Sequence, residues 1–304
     1  MKINNNVWNL NDKYAIITGA TSGIGYAAVQ KLAHKVKGLG LIARNEKKAR
    51  MVADELRRAT NGKVHVDVFI GNMSSQDSIR EVAHQILLKC TKLDILINNA
   101  GALFENHEIT EDGIEMTWAL NHLGPYLLTM LLLERLNESD SARIITTSSH
   151  GHKMAKRGID FDDLNAERHY RPFKKMMGGA TLRYAETKLA NILFTAELGR
   201  KLKNTGVTTY CYDPGLVATN FNRNNGKLAH LTMDVMKFFS ISPDQGAETL
   251  LWLTESKEIS SQTGCYYANK KIKTPAVPAQ DKTARERLWR ITEEQTKVCF
   301  PFIG

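Results

Sequence analysis

The sequence predicts an α/β fold in which a doubly wound parallel sheet carries helices on both faces. Three observations support this prediction. Between residues 14 and 215, short apolar strands alternate with segments of helical periodicity, the pattern of a parallel sheet covered on both sides. A glycine-rich turn follows the first of these strands. Polar residues stand where the strands end, and the carboxyl ends of the strands form the ligand-binding edge of an open parallel sheet.

The first half of the sheet is predicted from successive strand–helix units. The first predicted strand is a short apolar run and the third alternates between polar and apolar residues, while the predicted helices have apolar residues at helical spacing. The units are strand 14–20 with helix 25–36, strand 38–44 with helix 46–59, and strand 63–70 with helix 78–90.

The second half continues the same alternation, and its strands end in polar residues. In chain order it comprises strand 93–101, a long helix over 117–136, strand 142–149, a helix that contains 183–195, and strand 207–215. Because the composition nowhere changes in the manner of a linker, we expect one domain over 1–304.

Composition excludes several classes of protein. Hydrophobic residues make up 42% of the chain and charged residues 24%, which suits a globular protein with a core. Cys90, Cys211, Cys265 and Cys299 are scattered without a Cys-x-x-Cys pair. We therefore predict neither a disulfide framework nor a zinc site, and a reducing compartment fits this cysteine usage.

The net charge of +9 raises the question of nucleic acid. Lysines and arginines are mixed with acids apart from short clusters such as 270–273, and no zinc finger or RNP-like motif occurs. We therefore expect no nucleic-acid partner. The longest apolar run, 123–133, is too short to cross a bilayer, and the first residues lack the apolar core of a signal peptide. We expect a cytoplasmic protein without a transmembrane segment, and leave peripheral membrane contact open.

The glycine-rich turn TGATSGIG spans Thr18–Gly25, between a strand and a helix. In this context Gly19 permits the turn, Gly23 lets the backbone approach a pyrophosphate, and Gly25 allows the helix to pack closely on the strand. The N-terminus of the helix adds N–H groups and partial positive charge. The sequence thus favours a dinucleotide site over a glycine-rich connection without a ligand.

A tyrosine and a lysine, Tyr184 and Lys188, stand four residues apart in a helical segment. That spacing puts both side chains on one face of the helix. A cation beside a phenol favours the phenolate, so we expect Lys188 to lower the pKa of Tyr184 and make it usable for proton transfer near neutral pH. Taken alone, the pair also fits a half-buried tyrosine beside a surface lysine.

Six motifs occur along the chain in one order: TGATSGIG, NNAG at 98–101, Asn121 in ALNHLG, Ser149 in IITTSS, YAETK at 184–188 and DPG at 213–215. In these residues the chain resembles the short-chain dehydrogenases/reductases, from residue 14 to about residue 270. The segments DGIEMTWALNHLGPYLLT, IDFDDLN and YAETKLANILFT are similar to the retinol-dehydrogenase-like and DHRS-type branch. The resemblance implies a Rossmann-like single domain and an NADP(H)-dependent oxidoreductase that interconverts an alcohol and a carbonyl compound.

The same resemblance implies a role for each reacting group. Tyr184 would be the general acid and base, and Lys188 would also hold the nicotinamide ribose. Ser149 would hydrogen-bond the substrate oxygen, and Asn121 would hold a water that links Lys188 to solvent. Ser148 would replace Ser149 if the strand register differs by one residue, because neighbouring strand residues face opposite sides.

The resemblance also implies the cofactor contacts. Arg44 ends the second strand, where an acid would favour NAD and a guanidinium can hold the 2′-phosphate of NADP. Asn72 replaces the aspartate that is usual in the family, so the adenine amino group would meet an amide oxygen. We expect NADP(H) to be preferred, with NAD(H) as the alternative. The expected cofactor-binding residues are Gly19, Ser22, Gly23, Ile24, Gly25, Arg44, Asn72, Met73, Asn98, Ala100, Gly101, Tyr184, Lys188, Pro214, Gly215, Val217 and Thr219.

The substrate is expected to be an apolar alcohol or carbonyl compound: a retinoid, steroid, polyprenoid or lipid aldehyde. Leucine, methionine and phenylalanine between 228 and 241 suit an apolar lid, although a helix packed on the core gives the same pattern. His150 and His152 lack further ligands nearby, so we expect no metal. Around a nucleotide-binding core of about 14–215, we expect pocket segments at about 150–182 and 216–245 and a C-terminal tail at about 270–304.

Two points stay open at the level of sequence. An NADP(H)-binding regulatory protein of the same fold, with little turnover, is the alternative function. It is the less favoured one because Tyr184 and Lys188 are both present. The sequence does not distinguish a monomer from a homo-oligomer.

Overall fold

The computed structural model describes residues 8–216, 241–259 and 261–301. Within these residues, eight strands form one sheet in the order β3-β2-β1-β4-β5-β6-β7-β8. Neighbouring strands are parallel except β7 and β8, which pair antiparallel. The strands are β1 Tyr14–Thr18, β2 Gly38–Ala43, β3 His65–Ile70, β4 Ile95–Asn98, β5 Ala142–Thr147, β6 Val207–Asp213, β7 Cys265–Ala268 and β8 Lys271–Ile272.

The helices of the described residues connect these strands. They are α1 Gly23–Leu32, α2 Glu46–Ala59, α3 Gln76–Lys89, α4 Met116–Trp118, α5 Gly124–Asn137, α6 Pro172–Met176, α7 Gly179–Lys201, α8 Pro243–Glu255 and α9 Lys282–Thr296. A π-helical turn over Ala119–Leu123 joins α4 to α5. Short 3₁₀ turns occupy Leu10–Asp12, His150–Met154 and Val277–Gln280.

The two faces of the sheet carry different helices. Ile17 of β1 shares a core with residues of α1, α2 and α8, whereas its neighbour Ile16 shares a core with residues of α3, α5 and α7. Both isoleucines are fully buried. Because side chains alternate along a strand, an uninterrupted apolar strand needs cover on both sides. The doubly wound parallel sheet predicted from the sequence is confirmed, and β1 to β6 lie within the six predicted strand segments.

The long helix predicted over 117–136 is interrupted by the π-helical turn. Gly124 donates its N–H to the carbonyl of Ala119, five residues earlier. Pro125 has no N–H, so the carbonyl of Asn121 lacks the donor that a regular α-helix would provide. Asn191 Nδ2 donates to this carbonyl instead, at 2.9 Å. A proline four residues after Asn121 thus opens the helix beside the tyrosine helix α7.

The C-terminal part of the chain completes the sheet in a way that the sequence analysis did not predict. β7 pairs with β6 in parallel register, Tyr210 opposite Cys265, and β8 adds an antiparallel edge. Within the segment expected to be a tail, α9 packs on α7, with the ring centroids of Trp289 and Phe194 stacked 6.0 Å apart. Residues 282–296 are therefore part of the folded body.

Candidate active site

The glycine turn leaves β1 at Thr18 and enters α1 at Gly23. Gly19 has a φ of 72° and Gly23 a φ of 55°, in the left-handed region that glycine adopts without steric cost. A Cβ at Gly25 would lie 2.6 Å from Asn99 Nδ2. Any larger residue there would push α1 away from the strand ends, so the turn keeps a helix N-terminus close to the edge of the sheet.

The end of β4 is bound to this turn by hydrogen bonds. Thr18 Oγ1 accepts from the N–H groups of Asn99 and Ala100, both at 2.9 Å. Asn99 Nδ2 donates to the carbonyl of Thr18 at 2.9 Å. Asn98 lies beneath them, 2% exposed, and donates to Thr129 Oγ1 at 2.9 Å. Asn98 therefore supports the strand end, while Ala100 lines the turn itself.

Two cofactor candidates stand on the surface beside the glycine turn. Arg44 is exposed at the end of β2, and among the described residues its guanidinium makes no ion pair. Ser22 is the N-cap residue of α1, and its exposed side chain makes no capping hydrogen bond. Both polar groups are therefore available to a ligand.

At the end of β3 the side chain of Asn72 is hydrogen-bonded within the protein. Asn72 Oδ1 accepts from the N–H of Ser74 at 3.2 Å and from its Oγ at 2.8 Å. Both lone pairs of the amide oxygen are thereby used, which leaves the Nδ2 donor and no acceptor for an amino group. Met73 is buried, and a Cβ at Gly124 would lie 2.5 Å from its carbonyl oxygen, so its side chain belongs to the core.

The tyrosine helix and the end of β5 bring three expected catalytic residues together. The hydroxyls of Tyr184 and Ser149 share a hydrogen bond, and Ser149 Oγ accepts from the N–H of Gly151 at 3.1 Å. Ser148 points away from the tyrosine, since its Oγ donates to the carbonyl of Lys188 at 2.8 Å. Of the two serines, Ser149 is the one that faces Tyr184.

The pKa of Tyr184 moves opposite to the expectation from the sequence. Burial raises it above the usual 10, nearby Asp213 raises it further, and only the hydrogen bond with Ser149 opposes the rise. The Lys188 ammonium lies over the ring face, 5.4 Å from its centroid. Burial also lowers the pKa of Lys188 to about 8. An ammonium whose own charge is penalised by burial is a weaker stabiliser of the phenolate than an exposed one.

A chain of amides and carbonyls runs from Lys188 to Asn121. The carbonyl of Thr147 accepts from Lys188 Nζ and from Asn191 Nδ2, both at 3.2 Å, and Asn191 also holds the Asn121 carbonyl. A Cβ at Gly101 would lie 3.1 Å from Asn121 Oδ1 and 3.2 Å from Lys188 Nζ. The absence of a side chain at Gly101 leaves these two polar groups facing one another.

The sequence analysis did not select Asn191 for this network. It lies three residues after Lys188 on α7, and helical spacing would therefore have placed it on the same side. Its amide connects α7, β5 and the π-helical turn. Its role is to hold the carbonyls around Lys188 in place.

Asp213, at the end of β6, is a second residue that the sequence analysis did not select as a site residue. It is 5% exposed and accepts from the N–H of Gly215 at 2.9 Å and from the hydroxyl of Tyr266 at 3.2 Å. His150 Nδ1 lies 3.5 Å from its carboxylate. Gly215 has a φ of 85°, so the chain turns sharply after Pro214.

The remaining expectations concern the segment after Gly215, a metal site and a membrane-spanning helix. Val217, Thr219 and most of the apolar stretch 228–241 lie outside the described residues. Across 8–216, 241–259 and 261–301, no group of three histidine, cysteine, aspartate or glutamate side chains is arranged to hold a metal ion. No helix in those ranges is long and apolar enough to span a bilayer.

One buried ionic cluster joins the expected pocket segment to the tyrosine helix. Arg183 has no exposed surface, and its guanidinium lies 2.8 Å from Glu115 and 3.0 Å from Glu186. It also donates to the carbonyl of Leu164, and it lies 4.6 Å from the ring centroid of Trp118. Tyr184 follows directly in the chain, so this Arg183 cluster fixes the start of the tyrosine helix against α4 and the segment before α6.

The fold and the groups at its ligand edge match one class of oxidoreductase. A family model described as short chain dehydrogenase matches residues 13–159, from the start of β1 past Ser149. With the relatives described next, this match shows that the chain belongs to the short-chain dehydrogenase/reductase family. Enzymes of this family act on CH–OH groups with NAD(P)⁺ as the acceptor.

Within the family, the chain is similar to retinol dehydrogenases. It is 38% identical to retinol dehydrogenase 11 of Homo sapiens over 285 residues, which are 93% of this chain and 85% of that protein. It is 37% identical to retinol dehydrogenase 12 of Mus musculus over 283 residues, again 93% of this chain and 85% of that protein. The branch that the sequence motifs indicated is thereby confirmed.

Solved structures support the fold. The crystal structure of a protein from Mycobacterium Paratuberculosis has a TM-score of 0.74 at 27% identity and covers 98% of both chains. L-sorbose reductase from Gluconobacter frateurii, in complex with NADPH and L-sorbose, has a TM-score of 0.65 at 21% identity over 86% of this chain and 96% of the reductase. At that identity the reductase shares the fold alone.

Proposed function

We propose that this protein is an NADP(H)-dependent oxidoreductase that interconverts an apolar alcohol and its carbonyl compound, with Tyr184 as the general acid and base. The hydrogen bond between Tyr184 and Ser149 carries the proposal. Because the serine hydroxyl and the phenol are hydrogen-bonded to each other, both lie close enough to hydrogen-bond a single substrate oxygen. Lys188 stands over the same ring.

A retinoid is the substrate class that we propose. The relatives at 37% and 38% identity are retinol dehydrogenases, and the similarity runs over 93% of this chain. Retinol and retinal differ by one hydride and one proton at a single carbon–oxygen bond, which is the chemistry that Tyr184 would serve. Their long apolar chain suits the apolar substrate expected from the sequence.

The preference for NADP(H) is proposed from the end of β2. Within the described residues the Arg44 guanidinium makes no ion pair, and the hydroxyl of Ser22 on the glycine turn makes no capping hydrogen bond. A guanidinium pairs with a phosphate through charge-assisted hydrogen bonds. The close approach at Gly25 and the left-handed Gly19 and Gly23 form the backbone cradle that a pyrophosphate requires.

Each reacting side chain has a defined task in the proposed mechanism. Gly151 donates to Ser149 Oγ, which holds the serine hydroxyl in place beside Tyr184. Burial keeps Tyr184 protonated at neutral pH, so the phenol is ready to protonate the oxygen of a carbonyl substrate. When bound, the cofactor supplies or accepts the hydride, and the positive ring of its oxidised form favours the phenolate that alcohol oxidation needs.

We propose that Lys188 returns a proton to Tyr184 after the phenol has given up its own. Its pKa of about 8 allows the ammonium to exchange protons near neutral pH. Across Gly101 it faces Asn121 Oδ1, a carbonyl oxygen that accepts one bond from the N–H of Ala102 at 2.9 Å and has a second lone pair. A water between these groups would continue the path outward.

The test is turnover of all-trans-retinal with NADPH, and of all-trans-retinol with NADP⁺, followed by NADPH absorbance. Tyr184→Phe should lose about a hundredfold or more in turnover number, while it retains the fold and NADPH binding. Tyr267→Phe is the matched control. Tyr267 lies on β7, and its hydroxyl donates to the side chain of Gln262 at 2.6 Å. The proposal is refuted if Tyr184→Phe reduces retinal at the wild-type rate.

A further inference from the structure

Helix α6 is unusual among the described helices because it has no buried residue. Residues 171–178, here called the α6 patch, are all exposed. We propose that the α6 patch is a docking surface for a bilayer of anionic phospholipids. The docking does not depend on the proposed reaction, and it would present the protein to apolar compounds dissolved in that bilayer.

Large apolar side chains crowd this short segment. Phe173 is 68% exposed, Met176 76% and Met177 69%. A helix of this length has little stability of its own, and most helices in proteins are held by burying one face. Three large apolar side chains within five residues form a contiguous exposed patch, and such patches mark interaction surfaces. The patch therefore suits a partner that covers apolar groups.

The charges of the α6 patch indicate what that partner is. Arg171, Lys174 and Lys175 alternate with the apolar residues, and no acid occurs in the sequence between Glu167 and Glu186. Lys175 donates to an asparagine side chain at 2.9 Å. None of these three cations forms an ion pair within the part of the chain that the structure describes. Unneutralised basic residues around aromatic and aliphatic anchors are the composition of helices that lie at anionic membrane surfaces.

The location of the patch connects it to the ligand edge of the sheet. Gly178, with a φ of 86°, separates α6 from the tyrosine helix α7. A Cβ at Gly179 would lie 3.0 Å from the carbonyl oxygen of Lys174, so α6 is held tightly against the start of α7. Tyr184 follows five residues later, a rise of about 7.5 Å along the helix. A bilayer on the α6 patch would thus lie close to the substrate side of the site.

Vesicle sedimentation with the full-length protein tests the proposal. The probes are vesicles of phosphatidylcholine with about 30% phosphatidylserine, the class of anionic lipid that attracts basic segments, and vesicles of phosphatidylcholine alone. The wild type should sediment with the anionic vesicles and much less with the neutral ones. Added salt should release it, since the attraction of the cations is screened.

Two variants separate the apolar and the basic contributions. Phe173→Ser with Met176→Ser should bind at least about tenfold more weakly, because two large apolar side chains no longer enter the bilayer. Its control is Met51→Ser with Leu88→Ser, which removes side chains that are 62% and 73% exposed on α2 and α3.

Charge reversal at Arg171→Glu with Lys174→Glu should also weaken binding at least about tenfold. Its control, Lys37→Glu with Lys63→Glu, makes the same change before β2 and β3, at the opposite edge of the sheet.

The outcomes distinguish docking through the α6 patch from a general loss of folding or of surface charge. Both control variants should sediment like the wild type, and all variants should keep the circular dichroism spectrum and NADPH affinity of the wild type. The proposal is overturned if the wild type binds neither kind of vesicle, or if the α6 variants sediment like their controls. Loss of retinal turnover in Tyr184→Phe leaves these results unchanged, so the docking and the proposed reaction fail independently.

Discussion

Replacing Arg183 by methionine should severely destabilise the protein, because it removes the cation of a buried ionic cluster. Methionine fills much of the volume of the arginine stem but carries no charge and no N–H donor. The side chains of Glu115 and Glu186 are 0% and 4% exposed. Glu115 would then be a buried carboxylate that has lost Arg183, Glu186 would keep His169 Nε2 at 3.1 Å, and the carbonyl of Leu164 would lose a donor.

The magnitude follows from the exposure of these groups. Breaking a buried ion pair by removing one partner costs about 3–5 kcal/mol, because the remaining charge is uncompensated. The lost hydrogen bond to the carbonyl of Leu164 adds about 1 kcal/mol. Since domains are stable by only about 5–15 kcal/mol, Arg183→Met should lose a large share of the free energy of unfolding.

Equilibrium unfolding in urea measures this loss. The matched control is Arg168→Met in the same region, because Arg168 is 56% exposed and pairs with Asp160 at 3.1 Å. A surface pair of this kind contributes less than about 1 kcal/mol. If Arg183→Met loses no more stability than Arg168→Met, the Arg183 cluster does not hold the pocket segment to the tyrosine helix.

Three further predictions concern the ligand edge. Lys188→Met should be more stable than the wild type: its free energy of unfolding should be larger by up to about 3 kcal/mol at neutral pH, because the wild type buries a charged ammonium. As the folded-state pKa of about 8 lies below the usual 10.5, this advantage should be full below pH 8 and vanish toward pH 10.5; urea titrations at several pH values that show a constant difference would contradict it. Gly25→Ala should bind NADPH about tenfold more weakly, since its Cβ would collide with Asn99. If fluorescence titration gives an unchanged dissociation constant for NADPH, the close packing of α1 on the strand ends does not matter for cofactor binding. Arg44→Asp should weaken NADPH binding by roughly ten- to a hundredfold but not NADH binding, with Arg58→Asp on α2 as the control; equal losses for both cofactors would remove the phosphate contact.

The strands were predictable where a strand is an uninterrupted apolar run. β1, β2, β4 and β5 are buried along almost their whole length, and a parallel sheet covered on both faces leaves that continuous pattern. β7 has only four residues and β8 two. Segments this short leave no periodic pattern, and pairing with β6 defines β7.

Helix α9 escaped prediction because its buried stripe is partly polar. Leu288, Thr292 and Thr296 recur at every fourth residue and are at most 1% exposed. Each threonine hydroxyl donates to the carbonyl four residues earlier, at 2.8 and 2.7 Å. A threonine whose hydroxyl is satisfied within its own helix can be buried as an apolar residue. The sequence shows the residue type but not this bond.

The positions of the active-site residues were more accessible from sequence than their electrostatics. Helical spacing brings Tyr184 and Lys188 to one face of α7, whereas strand alternation alone left Ser148 as the alternative to Ser149. The direction of the pKa shift of Tyr184 depends instead on its depth of burial and on the nearby Asp213. Spacing along the chain contains none of these quantities.

The π-helical turn at Ala119–Leu123 sets the angular phase between two contacts on opposite sides of it. A π turn contains one more residue than an α-helical turn, and each residue rotates a helix by about 100°. Deleting one residue there would rotate Trp118 away from the Arg183 guanidinium if Gly124 stayed packed against the carbonyl of Met73. A chimera that takes its substrate side from another member of the family should therefore be joined after this turn, and should retain the turn at its present length.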